Sequence, residues 1–279
     1  MDGLTHPAPA KAAALAARYG AEALPAAGPW NATIAGMLEH RSVRGYLPDP
    51  PPPGTLETLV AAAQSAATSS NLQAWSVVAV HDPAKRAALA EIAGGQRHIL
   101  QCPIFLVFLA DLSRNARLGE AEGQVLEGLP YLESFLVAAV DAALAAQNAV
   151  VAAESLGLAT VYIGALRNDP ARVAELLALP PGAVGIFGLC VGTAAPEALG
   201  EVKPRLPQAA VLHHDRYSIA GEATRRTAYD RLLGEFSRRQ EMTAESWTGR
   251  VIARIGSVRA LRGRDRLGEV LRGLGFPLK

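Results

Sequence analysis

The chain has 279 residues and a mass of 29.2 kDa, which allows one large domain or two small ones. Because 50% of its residues are hydrophobic and 19% are charged, an intrinsically disordered chain is excluded. The 27 Lys and Arg residues against 26 Asp and Glu leave a net charge of +1, which argues against a broad nucleic-acid-binding surface. We therefore expect a globular protein that binds small charged ligands rather than DNA.

The sequence gives no sign of export or membrane insertion. The first thirty residues lack the basic start and the apolar stretch of a signal peptide. The most apolar region, 135–151, is interrupted by Asp141, Gln147 and Asn148, whereas a bilayer span needs about 18 uninterrupted apolar residues. We expect a cytoplasmic protein with no membrane partner.

The amino-terminal part, residues 1–30, is rich in Ala, Pro and Gly and is predicted to be an appendage with one helix over 11–18. It receives no chemical role. The rest of the chain, 31–279, is predicted to form a single domain. Its first helix is expected over 33–40 with Thr33 as the N-cap, and a proline-rich run then forbids further helix.

Helices and strands alternate through the middle of the chain. Apolar residues at helical spacing predict helices, and short apolar runs predict strands. The predicted helices span 55–67, 83–92, 134–156 and 170–178, and the predicted strands span 75–81, 104–110, 158–163 and 184–191. From 221 onward only helices are predicted, over 221–240, 246–255 and 265–273. We expect this helical tail to pack outside the α+β domain, for example on a second subunit. The pattern predicts an α+β fold.

The helix over 134–156 is Ala-rich and apolar nearly all round, so it must be buried. Two readings stay open at this point. The helix is either a contact with a second subunit or the central core helix of a monomer.

Several common signatures are absent from the sequence. It has no Gly-x-Gly-x-x-Gly after a strand, no Walker loop, no Gly-x-Ser-x-Gly elbow and no His-Glu-x-x-His. The histidines show no metal-ligand spacing, and Cys102 and Cys190 lie inside apolar runs as core residues do. No metal site is predicted.

Polar and basic loops remain at the ends of the predicted elements. Arg41 beside Ser42, with Lys203 and Arg205 far along the chain, provides the fork and point charge that bind a phosphate monoester. Pro204 stiffens the second segment. Solvated surface charge is the alternative for each pair taken alone.

In their order along the chain, these loops and several helix and strand segments resemble the nitroreductase family of flavin mononucleotide (FMN) enzymes, most closely its NADPH-dependent oxygen-insensitive nitroreductase and flavin reductase branch. The resembling stretches include Glu39-His-Arg-Ser-Val-Arg, Thr68-Ser-Ser-Asn-Leu-Gln, Gly94-Gly-Gln-Arg-His, Val161-Tyr-Ile-Gly-Ala-Leu-Arg-Asn and Lys203-Pro-Arg-Leu-Pro. The resemblance implies a mixed sheet sandwiched by helices, in a domain-entwined homodimer with a helical carboxyl-terminal tail. It also implies two FMN sites at the subunit interface.

The resemblance also implies roles for individual residues. The phosphate of FMN would be held by His40, Arg41, Ser42, Lys203 and Arg205. Arg44 would face the N1/O2 edge of the flavin ring and Gln96 would hydrogen-bond the ring. The strand end Tyr162-Ile163-Gly164-Ala165 would meet flavin N5 and O4 with backbone N–H groups, which requires a negative φ at Ala165.

Other residues are implied on the open side of the flavin. Thr68, Ser69, Ser70 and Leu72 would come from the partner subunit, and Ser70 and Asn71 would also face the donor or acceptor. Asn71 stands where this branch often has an aromatic residue, which makes the acceptor pocket more polar. Arg238, before the polar loop that ends at Trp247, would grip the 2′-phosphate of NADPH.

These features predict an FMN-dependent oxidoreductase that works by ping-pong transfer of two electrons from NADPH to a small nitroaromatic, quinone or flavin acceptor. Two alternatives stay open. One is a flavin reductase that supplies reduced FMN to a partner enzyme, and the other is a non-catalytic protein that sequesters flavin.

Overall fold

The computed structural model describes residues 11–26, 28–243 and 246–279. These residues form two compact units. The first unit takes its described residues from Met1–Arg41 and Gly200–Leu261, and the second consists of Ser42–Leu199 and Arg262–Lys279.

The described residues form four strands and eleven α-helices. The strands are β1 (Trp75–Ala79), β2 (Ile104–Asp111), β3 (Ala159–Ile163) and β4 (Ala183–Gly192). The helices are α1 (Lys11–Tyr19), α2 (Ala32–Glu39), α3 (Thr55–Gln64), α4 (Pro83–Ile92), α5 (His98–Gln101), α6 (Ser113–Ala121), α7 (Leu132–Ser155), α8 (Pro170–Leu176), α9 (Glu222–Arg239), α10 (Trp247–Ile255) and α11 (Leu267–Gly273). The predicted α+β class is confirmed.

The second unit is built on a four-stranded sheet in the order β1-β2-β4-β3. All eight residues of β2 are buried, as its continuous apolar sequence predicts for a strand covered on both faces. One face packs against α3 and α7, and the other packs against α4, α5 and α8. The sheet is therefore sandwiched by helices, as expected.

A mixed sheet is expected from the family resemblance, but the observed sheet is almost entirely antiparallel. The three pairings within the four-stranded sheet are antiparallel. Among the described residues, parallel pairing is confined to an isolated bridge between Ser42 and Thr160 of β3. One bridge satisfies too few backbone groups to extend the sheet by a further strand.

Long helices and core residues match the sequence predictions more closely than helix ends do. The cap of α2 is Asn31 rather than Thr33, because the Asn31 side chain accepts a hydrogen bond from the Ile34 N–H at 2.9 Å. Helix α6 escapes prediction because its sequence is polar, with only Ser113 and Gly119 buried. Both cysteines, Cys102 and Cys190, are buried in the core as predicted.

Helix α7 corrects the expectation of a fully buried helix. Its buried residues form one face, whereas Leu132, Leu136, Val140 and Leu144 recur every four residues and are 55%, 54%, 47% and 44% exposed. A helix that packs on one face of a sheet covers only the stripe toward that sheet. The opposite stripe of apolar side chains lies on the surface of the chain.

By length and composition α7 could also cross a membrane, since its most apolar window has a mean hydropathy of 1.7. It packs instead against the sheet, and Asp141 near its middle is 1% exposed. The two carboxylate oxygens of Asp141 accept hydrogen bonds from the N–H groups of Ser69 and Ala74, each at 3.1 Å. Asp141, which interrupts the apolar run of the sequence, thus anchors the loop that begins at Ser69.

We predict that Asp141→Ala destabilises the protein, since two backbone N–H groups lose their acceptor and Ala74 is fully buried. An unsatisfied buried donor costs about 1–3 kcal/mol, and chemical denaturation should show a loss of that size in the free energy of unfolding. Glu133→Ala, at an exposed site on the same helix, is the control. Equal unfolding free energies for the two variants would contradict the anchoring role.

Candidate functional site

The predicted phosphate-binding residues of the first unit lie at the end of α2 and in the segment after Gly200. His40 is the C-cap of α2 and leaves the helix in an extended conformation, with Arg41 exposed beside it. In the second segment Pro204 is buried and the ammonium of Lys203 lies 5.9 Å from the centre of the Phe236 ring. The Tyr229 hydroxyl donates to the carbonyl of Pro204 at 2.9 Å.

One guanidinium group joins these two segments. Arg18 in the last turn of α1 donates to the carbonyl of Lys203 at 2.7 Å and to the carbonyl of His40 at 3.1 Å, and it also donates to the carbonyl of Leu38. His40 and Lys203 are distant in sequence, yet the same side chain binds both backbones. Arg18 therefore joins the backbones of the two basic segments within this unit.

A cavity of about 350 Å³ lies next to Arg205 in the first unit. Its lining residues are Tyr19, Arg205, Leu206, Gln208, Val211, Tyr229 and Trp247. Burial raises the pKa of Tyr229, while the neighbouring charges of Arg205, Arg250 and Arg18 act in the opposite direction. Three aromatic rings beside a guanidinium suit a ligand that carries both a flat ring and a negative charge.

Two neighbouring arginines at the carboxyl-terminal end of α9, Arg238 and Arg239, differ in their contacts. Arg239 forms hydrogen bonds to both carboxylate oxygens of Glu201 at 2.9–3.2 Å, which lowers the pKa of that carboxyl group. Arg238 is exposed, and it forms no ion pair with any residue in the described part of the chain. Of the two, Arg238 is the one left open to an external anion.

In the second unit the segment that contains Ser42 and Arg44 contacts β3 and lies near His98. Ser42 bridges Thr160 of β3, and the N–H of Val43 donates to the carbonyl of Thr160 at 3.0 Å. Arg44, two residues on, lies close enough to His98 to influence it electrostatically: burial first, and then the Arg44 charge, lowers the pKa of His98. The backbone before Arg44 is thus paired with the beginning of β3, and Arg44 lies near His98.

The residues predicted to contact the flavin ring lie at the end of β3 and in the turn after α4. Tyr162 packs edge-on against Phe187 with 5.0 Å between ring centres, and Ile163 is buried. Gly164 and Ala165 begin a short 3-10 helix, and Ala165 has no positive φ, as its predicted role requires. The amide of Gln96 donates to the carbonyl of Ala93 at 3.0 Å, which fixes its orientation at the turn.

The loop with Thr68, Ser69, Ser70, Asn71 and Leu72 is held in a rare backbone conformation. Ser70, Asn71 and Gln73 have φ values of 49°, 56° and 48°, in the left-handed region. The loop is anchored from α7 by Asp141, and Asn115 of α6 donates to the carbonyl of Leu72 at 3.4 Å. Leu72 is 50% exposed. The loop therefore presents an apolar side chain outward from a fixed backbone.

Two supporting residues, Arg18 and Asp141, were not found from the sequence. Arg18 stands in a segment without any site motif, and Asp141 reads as a break in an apolar run. A charged residue at an otherwise apolar helix position is the one signal that points to Asp141. For Arg18 the sequence offers no comparable signal, because its acceptors are backbone carbonyls.

Two family models match this chain. The model described as "Nitroreductase family" matches residues 37–193, and the model described as "Nitroreductase family, C-terminal domain" matches residues 203–279. The two matches together contain every residue predicted for the site.

Curated relatives align with most of the chain. An "FMN reductase (NADPH)" of Bacillus subtilis is 39% identical over 227 residues, covering 80% of this chain and 90% of the relative. An "Oxygen-insensitive NADPH nitroreductase" of Salmonella typhimurium is 37% identical over 222 residues, covering 78% of this chain and 89% of the relative.

Solved structures share the fold. NfrA1 of B. megaterium is 37% identical and superimposes with a TM-score of 0.82, covering 88% of this chain and 100% of that chain. The NADPH:FMN oxidoreductase of Vibrio harveyi, solved in complex with NAD+, is 33% identical with a TM-score of 0.80, covering 89% of this chain and 100% of that chain. Sequence and fold agree: the chain is a member of the nitroreductase family.

Proposed function

We propose that this protein is a cytoplasmic, homodimeric FMN-dependent oxidoreductase that passes two electrons from NADPH to a small nitroaromatic, quinone or flavin acceptor. The observation that carries the proposal is the cation cluster of the first unit, in which one guanidinium ties the His40-Arg41 segment to Lys203-Pro-Arg205. The relatives named as an NADPH-dependent FMN reductase and an NADPH nitroreductase support both the cofactor and the donor.

The donor set of this cluster fits a phosphate group. Arg41 and Arg205 are exposed, and neither forms an ion pair with another residue that the structure describes. Planar guanidinium groups bind two oxygens of a phosphate at once, and an ammonium such as that of Lys203 adds a point charge. Arg41, Lys203 and Arg205, with His40 and Ser42 adjoining, would therefore hold the phosphate of FMN.

In the second unit, residues near the end of β3 would orient the ring. When bound, FMN supplies the two-electron transfer chemistry. Arg44 would place a positive charge beside the ring of bound FMN, where a cation would favour acceptance of a hydride by the ring. Gln96 is held by its bond to Ala93, and the backbone N–H groups of Gly164 and Ala165 would orient the ring edge.

Arg238 is the proposed site for the 2′-phosphate of NADPH. Its neighbour Arg239 is already bound to Glu201, whereas Arg238 keeps its five N–H donors on an exposed side chain. A dianionic phosphate gains most from a cation that does not first have to leave a carboxylate.

The exposed stripe of α7 is the proposed contact with a second copy of the chain. Leu132, Leu136, Val140 and Leu144 form an apolar surface on one helix face, and contiguous exposed apolar surface marks an association site. In such a contact the helix would pack on its own sheet with one face and on the partner with the other, so both readings of this helix would apply.

A flavin reductase that hands reduced FMN to a partner enzyme is a second candidate, supported by relatives named FMN reductase. Product analysis separates the two functions. Reduced FMN released in stoichiometric amount with NADPH oxidised favours the reductase, whereas a reduced nitroaromatic or quinone favours the first candidate. A protein that binds flavin but oxidises no NADPH would be a flavin-sequestering protein and would contradict both.

We predict that Arg44→Met slows reduction of the bound flavin by NADPH about tenfold or more, because the charge opposite the ring is lost. Stopped-flow absorbance under anaerobic conditions measures this rate. Arg266→Met, which removes an exposed arginine paired with Glu269, is the control and should leave the rate unchanged. A wild-type rate in Arg44→Met would remove Arg44 from the proposed chemistry.

We predict that Arg238→Met raises the KM for NADPH about tenfold and leaves the KM for NADH nearly unchanged, because only NADPH carries the 2′-phosphate. Steady-state kinetics with both donors measure the ratio. Arg239→Met is the matched control, since its guanidinium is bound to Glu201. If the control shifts the ratio as much as Arg238→Met does, the assignment to Arg238 is wrong.

We predict that the double variant Leu136→Lys, Val140→Lys is monomeric in light-scattering measurements where the wild type is a dimer. It should also lose bound FMN, because Thr68–Leu72 of the partner would cover the flavin. Leu118→Lys, at a 58% exposed position of α6, is the control and should remain dimeric. A dimer of unchanged mass in the double variant would place the subunit contact elsewhere.

A further inference from the structure

Arg18 is a buried arginine in a part of the chain that neither family model matches. It lies in the last turn of α1 and is 5% exposed, although basic side chains at helix ends are usually solvated. The family matches begin at residue 37. Arg18 itself therefore lies outside both family matches, while its partners lie within them.

The hydrogen bonds of Arg18 reach both sides of the proposed phosphate-binding cluster. On one side the guanidinium donates to the carbonyls of Leu38 and His40, directly before Arg41. On the other side it donates to the carbonyl of Lys203 at 2.7 Å, and the carbonyl of Arg18 itself accepts from the N–H of Arg205 at 2.8 Å. One residue thus uses its side chain and its backbone on the two segments.

The Lys203-Pro-Arg205 segment is tied at each of its three residues. Arg18 binds Lys203 and Arg205, and the Tyr229 hydroxyl binds the carbonyl of Pro204 at 2.9 Å. The segment has no regular secondary structure to order it. Fixing the backbone of an irregular residue costs conformational entropy, and these bonds incur that cost before a ligand arrives.

The backbone before Arg41 is irregular as well. His40 ends α2, and the next residues belong to no helix. The bonds from Arg18 to the carbonyls of Leu38 and His40 help to fix the direction in which Arg41 leaves the helix end. A planar guanidinium with five donors is suited to hold three carbonyls in one fixed arrangement, which an ammonium on a flexible stem does less well.

We propose that Arg18 is a positioning residue for phosphate binding, which holds the backbones beside Arg41 and around Lys203 and Arg205 in the arrangement that grips the phosphate of FMN. This inference rests on the function proposed above. It gives the amino-terminal segment a role in cofactor affinity, because α1 delivers the arginine that joins the two halves of the cluster.

The test compares FMN with riboflavin, which has the same ring but no phosphate. Dissociation constants for both are measured by quenching of flavin fluorescence on protein freed of bound flavin, for the wild type and for Arg18→Met. We expect Arg18→Met to bind FMN about 10- to 100-fold more weakly, the scale of lost charge-assisted hydrogen bonds, with riboflavin affinity changed less than threefold. The preference for FMN over riboflavin should fall accordingly.

Two further variants keep the result interpretable. Arg18→Lys retains the charge but not the fork, so its preference for FMN should lie between those of the wild type and Arg18→Met. Arg231→Met is the matched control, because it breaks an exposed ion pair with Glu22 in the same unit and should leave the preference unchanged. If Arg18→Met fails to fold, Arg18→Lys alone decides.

The outcomes separate the inference from the function on which it rests. An unchanged preference in Arg18→Met or in a folded Arg18→Lys, with wild-type binding of FMN, would overturn the positioning role alone. Equal weakening of FMN and riboflavin would also overturn it, since a general structural role affects both ligands. A wild type that binds neither flavin would overturn the proposed function, and this inference with it.

Discussion

The proposed phosphate site depends on basic segments that are joined through backbone carbonyls. Arg18, Lys203 and Arg205 lie in one network with the carbonyls of His40, Lys203 and Pro204 as acceptors. Carbonyl dipoles compensate part of the cost of burying a guanidinium, but they carry no net charge. The exposed guanidinium groups of Arg41 and Arg205 beside this network can bind an anion, and this favours a phosphate ligand.

In the second unit, hydrogen bonds to backbone groups hold the segments that carry the proposed site residues. Asp141 fixes the loop that presents Leu72, and the bridge from Ser42 to Thr160 fixes the segment that leads to Arg44. In both places a buried or strand-paired group determines where an exposed side chain emerges. Such preorganisation suits a protein whose cofactor performs the chemistry and whose side chains position it and tune its electronics.

The sequence predicts much of this fold because its signals are local. The apolar run of β2, the proline and aspartate that begin α8, and the long Ala-rich α7 each specify their element from neighbouring residues. The basic motifs at residues 40–44 and 203–205 likewise predict anion binding from neighbouring residues. The family resemblance adds their order along the chain, which composition and spacing alone do not supply.

What the sequence does not predict depends on contacts between distant residues. The role of Arg18 needs the partner at Lys203, 185 residues away, and backbone acceptors leave no trace in residue identity. The sequence does not predict the exposed stripe of α7, because helical periodicity does not tell which of two apolar faces packs on the sheet. The sequence does not predict the polar helix α6 either, because this helix has almost no apolar face.

The central claim is that this chain binds FMN and that NADPH reduces it. The most direct measurement is the visible absorption spectrum of the purified protein under anaerobic conditions, before and after addition of NADPH. The account predicts a flavin band that bleaches on addition of NADPH. A colourless protein that does not take up added FMN would contradict the phosphate-binding cluster and the function built on it.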